Sequence, residues 1–387
     1  MIVQGNPVRL LSWFSVAILL TGCVSLSDSS GFQNELDKIV EEYRIPGITA
    51  AYVGPDGTSV VAASGLENVK SGAVMQPDSR MLAASIGKTM VAATVLSLWQ
   101  EGVVDLDAPA SHWLGDRQWF SRLANHQEFT IRQLLGHRSG LPDHVYSQKF
   151  GNDLADEWRN PGNPFTPERL LSYIFDQPAL FSPGNGFAYS DSGYILLGLI
   201  IEEATGQDYY RLIQDRFLEP LGLTLTSPSN SRTLPGLVAG YTTEDNPFGI
   251  PSRSLTATGR LTWHPGLEWT GGGLVSNSRD LARWGHALFN GQAMAGDYLV
   301  QMLDTAPLDS RDRRRRYGLG VAEFVDGGFG PEYGHAGWIP GYSSSLRHYP
   351  DYNVTIAFQI NTDIGLTGGD ADNMGAIEAR LADLLMD

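Results

Sequence analysis

Ile48-Thr49-Ala50-Ala51-Tyr52-Val53 and Thr58-Ser59-Val60-Val61-Ala62-Ala63 stand on either side of Pro55-Asp56-Gly57. Both runs are rich in β-branched and small apolar residues. The tripeptide between them supplies one fixed φ and one residue free to take a positive φ. The spacing predicts an antiparallel hairpin over 48–63. Upstream, Phe32, Leu36, Ile39, Val40 and Tyr43 recur at helical spacing until Pro46, so an amphipathic helix opens the domain. The far end mirrors this. Tyr317 to Phe324, Ser344 to Tyr349 and Val354 to Ile360 read as strands, and Met374, Ile377, Leu381, Leu384 and Leu385 mark a last helix.

The middle of the chain differs. Val91, Val95 and Leu98, then Ile131, Leu134 and Leu135, then Tyr194 to Ala204 and Leu281 to Leu288 are helical patterns joined by long Gly/Pro loops. The expected architecture is α/β of the α+β kind: an antiparallel sheet closed by the two chain ends and flanked by helices, with a mostly helical part inserted. The expected boundaries are 32–104 and 316–387 for the sheet part and 105–315 for the helical part. Thr224 to Gly273 is the least regular stretch, with five prolines, and its Trp263 and Trp269 favour a packed covering over a cleft.

Composition narrows the function. The chain has 387 residues, 42% hydrophobic and 18% charged, ample for a core. Lysine and arginine total 27 against 43 acidic residues, a net charge of −16, which argues against a nucleic-acid partner. The eight histidines are scattered and one cysteine gives no disulfide framework, so neither metal nor cofactor is expected.

Residues 1–22 read as an export leader: Arg9, an apolar run from Leu10 to Leu20, then Thr21-Gly22. Leu20-Thr21-Gly22-Cys23 resembles the bacterial lipoprotein cleavage box, which implies lipidation of Cys23. Residues 23–31 would tether the 32–387 domain to a membrane. By the sorting pattern such lipoproteins follow, Val24 after the cysteine implies the outer membrane, facing the periplasm.

Ser85-Ile86-Gly87-Lys88 stands just before the Val91 to Leu98 helical run, so Ser85 and Lys88 share a face near a helix N-terminus. A serine hydroxyl attacks only when something removes its proton, and a neighbouring desolvated amine can do so. With 31 serines and four lysines, S-x-x-K arises by chance about 0.3 times, so context decides. An N-cap serine with a solvated lysine fits the motif alone equally well. Two further groups supply context: Tyr189-Ser190-Asp191 before a helix, and Tyr333-Gly334-His335-Ala336-Gly337-Trp338 at the start of a late strand.

In this order, Ser-x-x-Lys, a Tyr-x-Asn variant and His-x-Gly are similar to the serine β-lactamase-like superfamily, in the branch of class C β-lactamases, D-alanyl-D-alanine carboxypeptidases and related esterases. Val104 to Pro109, Thr130 to Leu141 and Gly272 to Ser276 resemble connecting segments of that branch. The resemblance implies that Ser85 forms an acyl-enzyme, that Lys88 and Tyr189 share the proton work, and that the N–H groups of Ser85 and Trp338 form an oxyanion hole. It places His335, Gly337 and Asp191 against substrate. Asp191 departs from the usual Asn, and a carboxylate accepts hydrogen bonds but donates none, which argues against penicillins. Asp191 would also hold Lys88 charged and raise Tyr189, while Lys88 lowers it, so the two act as a coupled pair and neither is singled out as the base.

The expected function is amide or ester hydrolysis, on a D-Ala-D-Ala-type peptide or β-lactam-related substrate, with small carboxylic esters next. Two rivals stand beside it. One is an α/β-hydrolase, since Ala83-Ala84-Ser85-Ile86-Gly87 is one residue from a nucleophile elbow, but that fold needs parallel βαβ units and leaves Lys88 idle. The other is a non-catalytic lipoprotein that binds cell-wall peptide. Arg311 and Arg313 to Arg316 read as a solvated loop, with a patch for acidic cell-envelope glycans as the alternative, and His137, His144, Tyr146, Phe150 and Trp158 fit cleft lining and ordinary packing equally well.

Overall fold

The computed structural model describes residues 29–157, 164–366 and 372–387. The leader 1–22, Cys23 and Trp158 lie outside the described residues. The first helix begins at Ser29 and runs to Tyr43, so the last three residues assigned to the tether are helical.

The strands are β1 Gly47–Val53, β2 Ser59–Asn68, β3 Ala73–Val74, β4 Met81–Leu82, β5 Ser227–Pro228, β6 Leu274–Ser276, β7 Ala306–Asp309, β8 Asp312–Tyr317, β9 Ala322–Gly327, β10 Gly330–Ile339, β11 Tyr342–Tyr349 and β12 Val354–Ile360. Nine form one sheet in the order β3-β2-β1-β12-β11-β10-β9-β8-β7; β4, β6 and β5 form a small second one. The neighbouring strands in both sheets pair antiparallel. That excludes the parallel sheet of an α/β-hydrolase. The predicted hairpin is β1–β2, and β1 also pairs with β12, from Ile48 against Ile360 to Val53 against Thr355.

Every residue of β1 is buried because both faces of the sheet are covered. Ile48, Ala50 and Tyr52 pack with Phe32, Leu36 and Ile39 of the first helix and with Ile377, Leu381 and Leu385 of the last, Asn373–Met386. Ala51 and Val53 point the other way, into the larger core shared with the helical part. There the Ser278–Phe289 helix lies on β1 and β12, and its Trp284 indole N–H donates to Thr89 Oγ1 at 2.8 Å.

Three expectations need correction. Tyr317 to Phe324 is not one strand: the chain turns between β8 and β9, where Gly320 takes φ 76° and the Gly318 N–H donates to the Val321 carbonyl at 2.9 Å. Leu319 and Val321, which look like strand residues, are buried because the turn dips into the helical core. The arginine run is not a loop, since Asp312–Tyr317 is β8, and Arg316 ion-pairs with Glu323 of β9 at 2.9 Å. Nor does Tyr333 to Trp338 open one of the three late strands expected, because it lies within a further strand, β10. The sheet side therefore starts at β7, before residue 316, while the Lys88–Gln100 helix packs with Asp191–Thr205 among the helices. The irregular stretch 224–273 is mostly loop, as expected, and buries its own Trp263.

Candidate active site

Ser85 lies in a tight turn, Ala84–Gly87, that runs straight into the Lys88–Gln100 helix. The turn is held by its backbone. The Ala83 N–H donates to Leu274 at 2.9 Å, and Ser344 Oγ donates to the Ala83 carbonyl at 2.9 Å. Ala84, next to the nucleophile candidate, has φ 48°, a left-handed conformation that costs an alanine about 1–2 kcal/mol. β9 pairs with β10 only as far as Gly334, so the following residues of β10 lie free of β9 and approach this turn. A Cβ at Gly337 would sit 2.3 Å from the Ala83 carbonyl oxygen, so only glycine allows the approach.

Lys88 has no exposed surface. Its ammonium donates to Ser85 Oγ at 2.9 Å and to the Gly271 carbonyl, and lies 2.5 Å from Asp191 Oδ1. The contacts with Ser85 and Gly271 are hydrogen bonds, whereas the Asp191 contact is an ion pair, since Asp191 Oδ1 has no aligned hydrogen bond. Burial alone would lower the Lys88 pKa, but Asp191 and Tyr189 outweigh it and the net direction is up. Nζ also sits 4.9 Å from the centre of the Tyr189 ring. Tyr189 Oη is buried without an aligned hydrogen-bond partner. Burial pushes the phenol up to about 12, with Lys88 opposing and Asp191 reinforcing. Lys88 thus rests as an ammonium and Tyr189 as a neutral phenol.

Ser190 caps the Asp191–Thr205 helix through Gly193 N–H, which puts Asp191 in its first turn, where a carboxylate is favoured by the helix dipole. The Asp191 N–H donates to Asp143 Oδ2 at 3.1 Å. Burial and the Asp191 charge raise Asp143 to about 7. His335 is held as a neutral ring, with Nδ1 2.6 Å from the Ala336 carbonyl and Nε2 2.9 Å from Tyr317 Oη. Burial lowers it to about 3. Both nitrogens face protein, so it presents a ring edge, not a free donor, to the cleft.

These groups open onto a cavity of about 1140 Å³ that is lined mainly by apolar side chains, among them Phe150, Phe248 and Trp263. At its mouth Trp338 is 37% exposed and Tyr146 84%. Trp338 lies 5.9 Å from the Phe248 ring, and its indole N–H donates to Asp363 Oδ2 at 3.1 Å, which fixes the ring in place.

Ser85, Lys88, Tyr189, Asp191, His335, Gly337 and Trp338 therefore come together from three separate segments. Of the residues left open, Tyr146 and Phe150 line the cleft. His137 and His144 stand behind it, His137 with its ring 4.1 Å from that of Tyr189 and its Nδ1 accepting from Ser190 N–H at 3.1 Å. Sequence reasoning missed Asp143, Glu268 and Tyr317, which line the same cavity. Glu268 lies inside the stretch expected to cover a cleft; Asp143 carries no local signal.

The chain matches the β-lactamase family over residues 32–381. It is 28% identical over 306 residues to a penicillin-binding protein of Bacillus subtilis, covering 72% of this chain and 60% of that protein. It is 32% identical over 199 residues to esterase EstB of Burkholderia gladioli, covering 48% of each. The chain thus spans about half to three fifths of the length of these relatives. Among solved structures it resembles a D-stereospecific amidohydrolase from Streptomyces sp., with 25% identity, a TM-score of 0.73 and coverage of 87% of this chain and 95% of that one. The fold also matches D-amino acid amidase from Ochrobactrum anthropi SV3, at 24% identity, TM-score 0.77 and coverage of 92% and 98%. With its antiparallel sheet, its Ser85–Lys88 contact and a match across nearly all of the described residues, the chain belongs to the β-lactamase family.

Proposed function

We propose that this protein is a serine hydrolase that cleaves an amide or ester through an acyl-enzyme on Ser85. The observation that carries the reading is Ser85 Oγ held 2.9 Å from a fully buried lysine ammonium at the wall of a large cleft. Ser85 attacks the substrate carbonyl, Lys88 and Tyr189 act as a coupled pair on its proton, and water releases the acyl group. The N–H groups of Ser85 and Trp338 would hold the oxyanion, since β10 approaches the Ser85 turn closely enough to demand glycine at 337.

A peptide of the D-Ala-D-Ala type is the first substrate class. An apolar carboxylic ester is the second, favoured by the aromatic lining of the cleft and in keeping with the esterase relative. Asp191 in place of Asn weighs against β-lactams. We further propose attachment to the bacterial outer membrane through lipid on Cys23, supported by Leu20-Thr21-Gly22-Cys23 and by the few residues between it and the first helix; labelled palmitate should enter the chain and fail to enter Cys23→Ala.

The function is tested by fluorophosphonate labelling and by a competition between a fluorescent penicillin, a p-nitrophenyl ester and a D-Ala-D-Ala peptide. Labelling of the native chain but not of Ser85→Ala is expected, and Ser85→Ala should lose all turnover while keeping its circular dichroism. A Ser85→Ala protein as active as the native chain rejects the mechanism, and a chain that never labels is a binding protein.

A further inference from the structure

The Ile131–Leu135 helix ends on Gly136, and the next residue, His137, takes φ 56°. This left-handed turn closes the helix: the His137 N–H donates to the Leu134 carbonyl at 3.2 Å and the Arg138 N–H to the Gln133 carbonyl at 2.7 Å. Glycine is the usual residue in such a stop. A histidine fills it here and is only 1% exposed, and a side chain kept in that backbone conformation points to a use for the side chain.

The contacts of His137 converge on Tyr189. Its carbonyl accepts the Ala188 N–H at 3.0 Å and its Nδ1 accepts the Ser190 N–H at 3.1 Å, so one residue grips the chain on either side of the tyrosine. Its ring lies 4.1 Å from the Tyr189 ring, nearer than His335 at 6.1 Å or Tyr317 at 6.5 Å. Tyr189 Oη has no aligned hydrogen bond to fix it, so packing sets where the phenol points. A shift of about 1 Å in a catalytic group costs about 100-fold in rate. The imidazole is itself braced by Tyr194 at 5.1 Å and Tyr317 at 4.9 Å, whose hydroxyls meet the Leu135 carbonyl and His335 Nε2 at 2.9 Å each.

His137 is placed apart from the moving proton. Burial, reinforced by Lys88 and His335, lowers its pKa well below the ordinary imidazole range, so the ring is neutral. Nδ1 is taken by the Ser190 N–H, which leaves the ring proton on Nε2, and Nε2 has no hydrogen-bond partner. Nor does the residue line the cavity. Resting on the hydrolase reading above, we propose that His137 is a positioning residue: stacked behind Tyr189 and bonded to the backbone on both sides of it, it holds the phenol toward Lys88 and Ser85.

Asparagine enters the left-handed region readily and its Oδ1 can still accept the Ser190 N–H, so His137→Asn removes the ring and spares the turn. The rate of fluorophosphonate labelling of Ser85 should fall about 10- to 100-fold in this variant while its circular dichroism stays native. In a Tyr189→Phe background, which has no phenol to position, the same substitution should cost less than about twofold. A native labelling rate in His137→Asn, or an equal loss with and without the phenol, overturns the proposal. Should His137→Asn not fold, His137→Gly, which suits the same φ, is labelled with and without imidazole. Acceleration by imidazole supports the role of the ring, and its absence overturns it. If the native chain labels and His137→Asn labels as fast, the positioning role alone is lost; if the native chain never labels, the hydrolase reading falls and takes the positioning role with it.

Discussion

Lys88 carries its charge with no surface exposed, and Asp191, at 2.5 Å, is the reason that charge is tolerated. The same contact sets a chemical difficulty, because an ammonium cannot accept the Ser85 proton. Replacing Asp191 with Asn keeps the shape and removes the charge that raises Lys88. Lys88 then deprotonates at lower pH. The rising limb of the kcat/KM profile should move down by about 1 to 3 pH units, measured on whichever probe the native chain turns over, and penicillin handling should improve in the same variant. An unmoved limb would show that Asp191 does not control the proton. Ser85, Lys88, Tyr189 and Asp191 were legible in the sequence because each pair lies within a few residues on one turn. Asp143 and Glu268 were not, because their chemistry comes from burial beside Asp191, and nothing in the residues around either one announces that burial.

At the level of elements, the approach of β10 to the Ser85 turn is the feature that builds the cleft. Gly337→Ala places a methyl 2.3 Å from the Ala83 carbonyl oxygen and from Ser344 Oγ. Overpacking of this kind costs about 1–3 kcal/mol, and a shift of about 1 Å in a catalytic group costs about 100-fold in rate. Denaturant melts and kinetics on Gly337→Ala should therefore show a modest stability loss and a large activity loss; the reverse pattern would remove β10 from the chemistry. The β1–β2 hairpin and β12 were readable because their periodicity and turn residues are local. The β8–β9 break was not, since Leu319 and Val321 are apolar for a tertiary reason, contact with the helical core, that a strand pattern imitates.

Across the whole molecule, β1 lies between β2 and β12, so the two ends of the chain share one core. Phe32, Leu36 and Ile39 are fully buried against it. At roughly 1.5–3 kcal/mol for each such side chain, the first helix contributes an amount comparable to the whole stability of a typical domain, about 5–15 kcal/mol. A chain beginning at Gly47 should be insoluble or lack a cooperative thermal transition, and a normal melt from it would refute this weighting. The placement of the sheet at both termini was visible in the sequence, but its seam, Ile48 against Ile360, was not, because pairing over such a separation leaves no local trace.

That seam also orders events in time. While a ribosome is still making the middle of the chain, β1 has one neighbour and an open edge on the other side, and the strand that will fill it emerges more than three hundred residues later. At about 5–20 residues per second, the early hairpin waits on the order of a quarter of a minute to a minute for its mate. For that interval the nascent chain carries an unpaired strand edge, open to pairing with another chain.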